Sequence, residues 1–171
     1  DTQVSFANQV PRASLAKLVG EMPADERADL FKHLSHSQRN ALLPALAQAE
    51  REDIRSLSAY QEGTAGALMT SDYATLTKHI TVAEALDTLR AEAPDAETIY
   101  HAYVINEQRT LLGVVSLRSL ILADPDSSID DLMVHNPVFC LVSDKQEKVA
   151  KKIARYDLIA LPILDEDQAI V

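Results

Sequence analysis

Apolar residues in the first third of the chain recur with a helical period. Leu15, Leu18, Val19 and Met22 fall on one helical face, and Pro23 then restarts the chain as a first-turn proline does. The pattern predicts a second helix from Pro23 to Leu34. Asp25 and Glu26 suit the positive end of its dipole, and Leu30, Phe31 and Leu34 form its inner stripe. Asp25 and Asp29 stand four apart and share a face. Ser35 with Gln38 reads as a capping box opening a third helix, with Leu42, Leu43 and Leu46 as apolar positions and Pro44 as a break or kink. A further helical stretch from Ala45 to Leu57 ends at the segment Glu62-Gly63-Thr64-Ala65-Gly66.

After Met69 the pattern becomes a mixture of strand and helix. Tyr73–Leu76 predicts a strand, Thr81 with Glu84 a capping box, and Ala85, Leu86 and Leu89 the stripe of a helix reaching about Ala93. The acidic stretch Pro94–Glu97 ends that helix. Ala102–Ile105 and Leu111–Val115 predict a hairpin across Asn106–Thr110, followed by a helix over Leu117–Ala123. The order then recurs. Leu68-Met69 returns as Leu132-Met133, and Phe139–Val142 as the strand. Ser143 with Gln146 marks the helix start, Val149, Ala150 and Ile153 its stripe, and Ile159–Leu164 the next strand. Ala169–Val171 begins a returning strand, so the second unit is read as incomplete. These patterns divide the chain into residues 1–60, which are helical, and two repeats at 61–128 and 129–171.

At 171 residues and 47% hydrophobic, the chain can bury a sizeable core. Its longest apolar stretch, Leu158 to Leu164, falls far short of the ~20 residues a membrane helix requires. Asp1–Ser5 lacks the basic start and apolar core of a secretory signal, so no export is expected. The single cysteine, Cys140, lies in an apolar run and reads as a buried, inert thiol. A net charge of −10 argues against nucleic acid as a partner, since phosphate contacts need clustered Lys and Arg. The deficit lies in the repeats: residues 61–171 hold 18 acids against 9 Lys and Arg, whereas residues 1–60 hold 8 against 7. An acidic surface concentrates cations, and it also serves solubility.

The tandem order of strand, helix, two strands and helix resembles a pair of CBS domains. Four segments narrow the likeness: Met22–Leu30, Glu62–Thr70, Glu97–Tyr100 and Leu112–Arg118 resemble, in order, the MgtE magnesium transporter family over essentially the whole chain. The resemblance implies an α+β chain in which an all-helical, superhelical N-terminal domain precedes two CBS units. It also implies a place on the cytoplasmic face of the inner membrane, pairing with a second copy through the CBS domains, and a transmembrane pore domain further along the parent chain. Magnesium between the N domain, the CBS domains and the membrane part would hold the pore closed.

Matched to the family motif, the Mg2+ contacts are Asp25, Asp29, Glu147, Asp157 and the backbone carbonyl of Ala154. Each has a structural alternative. Asp25 suits the helix dipole, Asp29 is a solvated helix acid, Glu147 can pair with Lys151 at i+4, and Asp157 can cap a helix end.

CBS pairs commonly bind adenine nucleotides, so an ATP-regulated module is the rival reading. Gly113 and Ser116 fit the usual signature, but Ser119 stands where an Asp receives the ribose hydroxyls, and a neutral hydroxyl is the weaker acceptor. Arg118 could meet phosphate and His101 could stack on a base, although a lone histidine on a strand is more often structural. An enzyme has little support: the chain contains no Walker-type loop, no His-Glu-x-x-His and no Gly-x-Ser-x-Gly. His33 and His36 are expected on one helix face as a solvated pair. Exposed Leu and Ile on the Leu117–Leu122 helix would suit a dimerisation module.

Overall fold

The computed structural model describes residues 10–92 and 98–171. The expected helix end at Pro94–Glu97 and the start of the chain lie outside the described residues. The chain divides into two compact units between Ser71 and Asp72.

The first unit is helical: α1 (Arg12–Gly20), α2 (Ala24–His33), α3 (His36–Leu42), a 3-10 turn at Leu43–Ala45, α4 (Gln48–Leu57) and the short α5 (Ala65–Leu68). Pro23 stands as the N-cap of α2, and Ser35 with Gln38 forms the expected capping box of α3. Pro44 lies within the 3-10 turn, since its ring and missing N–H end the α ladder. Val19, Leu30, Leu34, Leu42, Leu46 and Ile54 make the core. Arg27, only 6% exposed, ties it together. Its guanidinium donates to the carbonyls of Val19 (3.0 Å), in the last turn of α1, and of Met22 (2.8 Å), just past that helix, and to Asp53 Oδ2 at 2.9 Å. A buried cation is tolerated there because helix-end carbonyls and a carboxylate surround it.

In the second unit β1 (Tyr73–Thr77), α6 (Val82–Glu92), β2 (Thr98–Ile105), β3 (Leu111–Ser116) and α7 (Leu117–Leu122) form the first repeat. α8 (Ile129–Leu132) and β4 (Val134–His135) follow, and the sheet order is β1-β2-β3-β4. β1 and β2 run parallel with α6 as their crossover, and β2–β3 is the expected hairpin. The Thr81/Glu84 box is present: Thr81 N–H donates to Glu84 Oε2 at 2.8 Å, and Glu84 N–H to Thr81 Oγ1 at 3.3 Å. The bonds that the carboxylate accepts from Thr81 N–H and, at 3.0 Å, from the Thr81 hydroxyl hold the Glu84 carboxyl below its ordinary value.

Both faces of this sheet are covered. Ala74, Leu76, Ala102, Val104 and Val115 face the helices with Val82, Ala85, Leu89, Leu120 and Ile129. Tyr73, Tyr103, Ile105, Leu111 and Val114 face the other way and meet Phe139, Leu141, Leu164 and Ile170 of the second repeat. Successive strand residues point to opposite faces, so the unbroken apolar run Tyr103-Val104-Ile105 is what a doubly covered strand needs.

The second repeat departs from expectation in three ways. Its strands shrink to β5 (Cys140–Leu141) and β6 (Ile163–Leu164), paired parallel, with Pro162 contributing only its carbonyl, to Cys140 N–H at 3.1 Å. The helix α9 (Gln146–Tyr156) takes Lys145, not Ser143, as its N-cap. Asp144 anchors the entry instead, accepting from Leu141 N–H at 3.1 Å and from Lys148 Nζ at 2.6 Å. Finally, the stripe Val149, Ala150 and Ile153 is not buried; two strands of two residues cannot cover an 11-residue helix. Cys140 is 1% exposed, and burial pushes its thiol up, as an inert core cysteine requires.

Candidate functional site

Asp25 and Asp29 sit on α2 one turn apart, which puts their β-carbons about 5–6 Å from each other. Asp25 is half-buried in the first turn and Asp29 is exposed. His33 follows Asp29 by one turn: its Nδ1 lies 2.8 Å from the Asp29 carbonyl and 3.9 Å from Oδ1. His33 and His36 do not share a helix, because Leu34 and Ser35 separate α2 from α3. Each ring is occupied locally, His36 Nδ1 with Asn40 Nδ2 at 3.1 Å.

Glu147, Ala154 and Asp157 are exposed on α9 and its C-terminal end. Glu147 and Ala154 are seven residues apart, so they share a face but stand about 10 Å apart along the axis. One ion cannot touch both directly. The helix ends on Asp157 in the left-handed region (φ 50°, ψ 48°), which turns Leu158 N–H back onto the carbonyl of Ile153 at 3.1 Å. In a continuing helix that donor would go to Ala154. Its carbonyl therefore lacks a backbone donor among the described bonds, at the negative end of the dipole and beside the Asp157 carboxylate. Two oxygens there suit a hard cation that keeps most of its waters.

Lys145, Lys148, Lys151, Lys152 and Arg155, five of the nine basic residues after position 60, line the same helix. A cation brought to Glu147 would meet that repelling field. Lys148 pairs with Asp144, and the expected Glu147–Lys151 ion pair is absent among the described residues. No group of three His, Cys, Asp or Glu among the described residues forms a preassembled metal cage.

A second cluster lies where the first repeat's hairpin meets α7. The β2–β3 register sets His101 opposite Ser116. Ser116 caps α7: its Oγ accepts from Ser119 N–H at 3.0 Å and lies 2.7 Å from Ser119 Oγ. His101 Nδ1 is buried with no hydrogen-bond partner, the kind of atom a ligand or water would satisfy. Arg118, next to Ser119, is exposed.

The sequence reading gave no role to Arg109. In the structure it joins the repeats, donating to Tyr73 Oη and, through Nε at 3.4 Å, to the Ile170 carbonyl, while its own carbonyl accepts Ile170 N–H at 3.0 Å. The available signal was the spacing Asn106…Thr110 and Asp165…Ala169, two turns of one kind.

Comparison with known proteins assigns these parts. Residues 1–63 match the MgtE intracellular N domain, and residues 65–126 and 129–171 match CBS domains. The magnesium transporter MgtE of Thermus thermophilus is 43% identical over 121 residues, 71% of this chain but 27% of the transporter's length. Among solved structures, the soluble part of a magnesium transporter aligns with a TM-score of 0.93 at 34% identity, covering 99% of this chain and 66% of that one. The cytosolic domain of the Mg2+ channel MgtE in complex with ATP aligns with a TM-score of 0.73 at 31% identity, covering 99% and 79%. Helical unit, tandem repeats and their order together place this chain in the MgtE family of magnesium transporters, as its N domain and CBS pair.

Proposed function

We propose that this chain is the magnesium-sensing region of an MgtE-type channel, held on the cytoplasmic face of the membrane by a pore domain of the parent chain. Mg2+ bound at carboxylates of the helical unit and of the second repeat favours the closed state. The observation that carries this reading is the end of α9, where a left-handed Asp157 frees the Ala154 carbonyl beside a carboxylate. Asp25, Asp29 and Glu147 supply further oxygens. Because magnesium commonly uses one or two carboxylates and several waters, dispersed ligands suffice. Each ion shifts the gating equilibrium by its differential affinity for the two states. Two copies pair through the repeats, for which the exposed Ile121 (64%) and Leu122 (73%) of α7 provide an apolar face.

Isothermal titration of metal-free protein tests the reading. Mg2+ is expected to bind with Kd near ~1 mM, equivalent to about 4 kcal/mol, and to raise the melting temperature. Asp25→Ala and Glu147→Ala should each weaken it, and Asp157→Ala most. The absence of heat and of any melting shift at about ten times that concentration would sink the proposal.

A second reading adds to the first. The likeness to an ATP-bound cytosolic domain, together with the orphaned His101 Nδ1, supports adenine-nucleotide binding by the first repeat, with His101, Arg118 and Ser119 in contact. ATP is then a second effector, of the same two-state equilibrium.

A further inference from the structure

We infer that the nucleotide site of the first repeat does not read the sugar: it selects base and phosphate, and binds ATP and 2′-deoxyATP alike. The inference rests on the nucleotide reading above and specifies what that site recognises.

A site that selects ribose commonly presents a carboxylate that accepts its hydroxyls in charge-assisted bonds. β2, β3 and α7, which carry the residues of the cluster, contain no Asp or Glu. Opposite His101 in the register stands Ser116, and its Oγ is bonded to that of Ser119 at 2.7 Å. Ser116 Oγ also holds Ser119 N–H at 3.0 Å as the cap of α7. A ribose hydroxyl entering here must displace a hydroxyl–hydroxyl bond to make a similar neutral one, and such an exchange contributes little.

The other two parts of a nucleotide are provided for. His101 Nδ1, buried and unpaired opposite Ser116, either donates or accepts according to the ring's tautomer. The edge of adenine offers both an amino donor and ring-nitrogen acceptors. Arg118 is the only Lys or Arg in β2, β3 and α7, and it makes no ion pair among the described residues. A guanidinium in that position suits phosphate oxygens.

Calorimetric titration of the full 171-residue chain with ATP, 2′-deoxyATP and inorganic triphosphate tests this, alongside the ring nitrogen NMR signals of His101. The expected result is ATP and deoxyATP affinities within about threefold of each other, since only a neutral exchange separates them. His101 signals should move with both nucleotides and stay fixed with triphosphate. Ser119→Asp is expected to create a preference for ATP of about tenfold or more, the scale of one charge-assisted bond. A preference of that size in the unaltered chain, or His101 signals that ignore a bound nucleotide, overturns the inference while leaving nucleotide binding intact. Binding of neither nucleotide overturns the nucleotide reading and this inference with it.

Discussion

The two repeats carry nearly the same turn and very different cores. In the first, Asn106 Oδ1 accepts from Gln108 N–H (3.0 Å) and Thr110 N–H (2.8 Å); in the second, Asp165 Oδ1 accepts from Asp167 and Ala169 N–H, both at 2.9 Å. Arg109 and Gln168 stand at the same place in the left-handed region, with φ of 61° and 64°. Yet the first repeat supplies three strands of a four-stranded sheet, which β4 completes, with helices on one face, whereas the second has the two-residue strands β5 and β6 and a helix, α9, without a buried residue. Local turn chemistry is thus preserved where tertiary burial is not. The second repeat is held by the back of the first repeat's sheet, through Leu164 and Ile170 against Tyr103, whose burial pushes its phenol up to about 12. The Tyr73 and Tyr103 rings meet edge to face at 5.8 Å.

The largest effect should separate the two cores. Leu120, 1% exposed among the helices and sheet of the first repeat, is expected to cost about 2–5 kcal/mol when changed to Ala. Ile153→Ala, on the apolar stripe of α9 in the second repeat, should cost less than about 1 kcal/mol, because there is little packing to lose. Urea unfolding followed by far-UV circular dichroism measures both. Equal costs would mean that α9 is covered in solution and that the contrast between the repeats fails.

A middle-sized effect concerns the junction. Arg109→Ala removes the donors to Tyr73 and Ile170 and should cost about 1–3 kcal/mol, as loss of charged-donor hydrogen bonds does. Hydrogen exchange should then rise in β5 and β6 before it rises in β1 and β2. At the matching position, Gln168→Gly should be neutral or stabilising by about 0.5 kcal/mol, since glycine enters the left-handed region without strain. If both substitutions destabilise equally, the turns are equivalent in role as well as in shape.

Much of this was legible in the sequence, and the exceptions have physical causes. Ser35/Gln38 and Thr81/Glu84 were readable because a capping box depends on four adjacent residues. The hairpin and the doubly buried run at Tyr103–Ile105 were readable because period and turn residues are local too. Ser143/Gln146 has a box-like spacing but is not one, since Asp144 is drawn to Leu141 N–H and Lys148 and shifts the helix start to Gln146. The stripe on α9 was read correctly as apolar, but what covers a stripe is a tertiary matter. At the candidate sites, the shared face of Asp25 and Asp29 follows from spacing alone. The freed carbonyl of Ala154 depends on the backbone turn at Asp157, and the unpaired Nδ1 of His101 on strand register and burial; neither has a side-chain signature.

The smallest effect compares how the two repeat helices are entered. Glu84 completes a capping box, while Asp144, its side chain 13% exposed, bridges Leu141 N–H and Lys148 Nζ. Burial alone would raise the Asp144 carboxyl, but the hydrogen bonds from Lys148 and Leu141 outweigh it and hold it below its usual 3.8. A carboxyl depressed on folding contributes stability that is present above its unfolded value and is lost as pH falls through the folded one. The same pair raises Lys148, whose contribution is lost only as pH rises past the usual 10.5. Between those limits the pair is intact. Asp144→Asn should therefore lower the melting temperature at pH 7, and the gap to the unaltered chain should close on acidification below pH ~4. Lys148→Gln should produce the same neutral-pH loss and, combined with Asp144→Asn, add little to it. A gap that persists at low pH would show that Asp144 acts through packing, and that the second repeat's helix is entered without the charge pair its basic composition supplies.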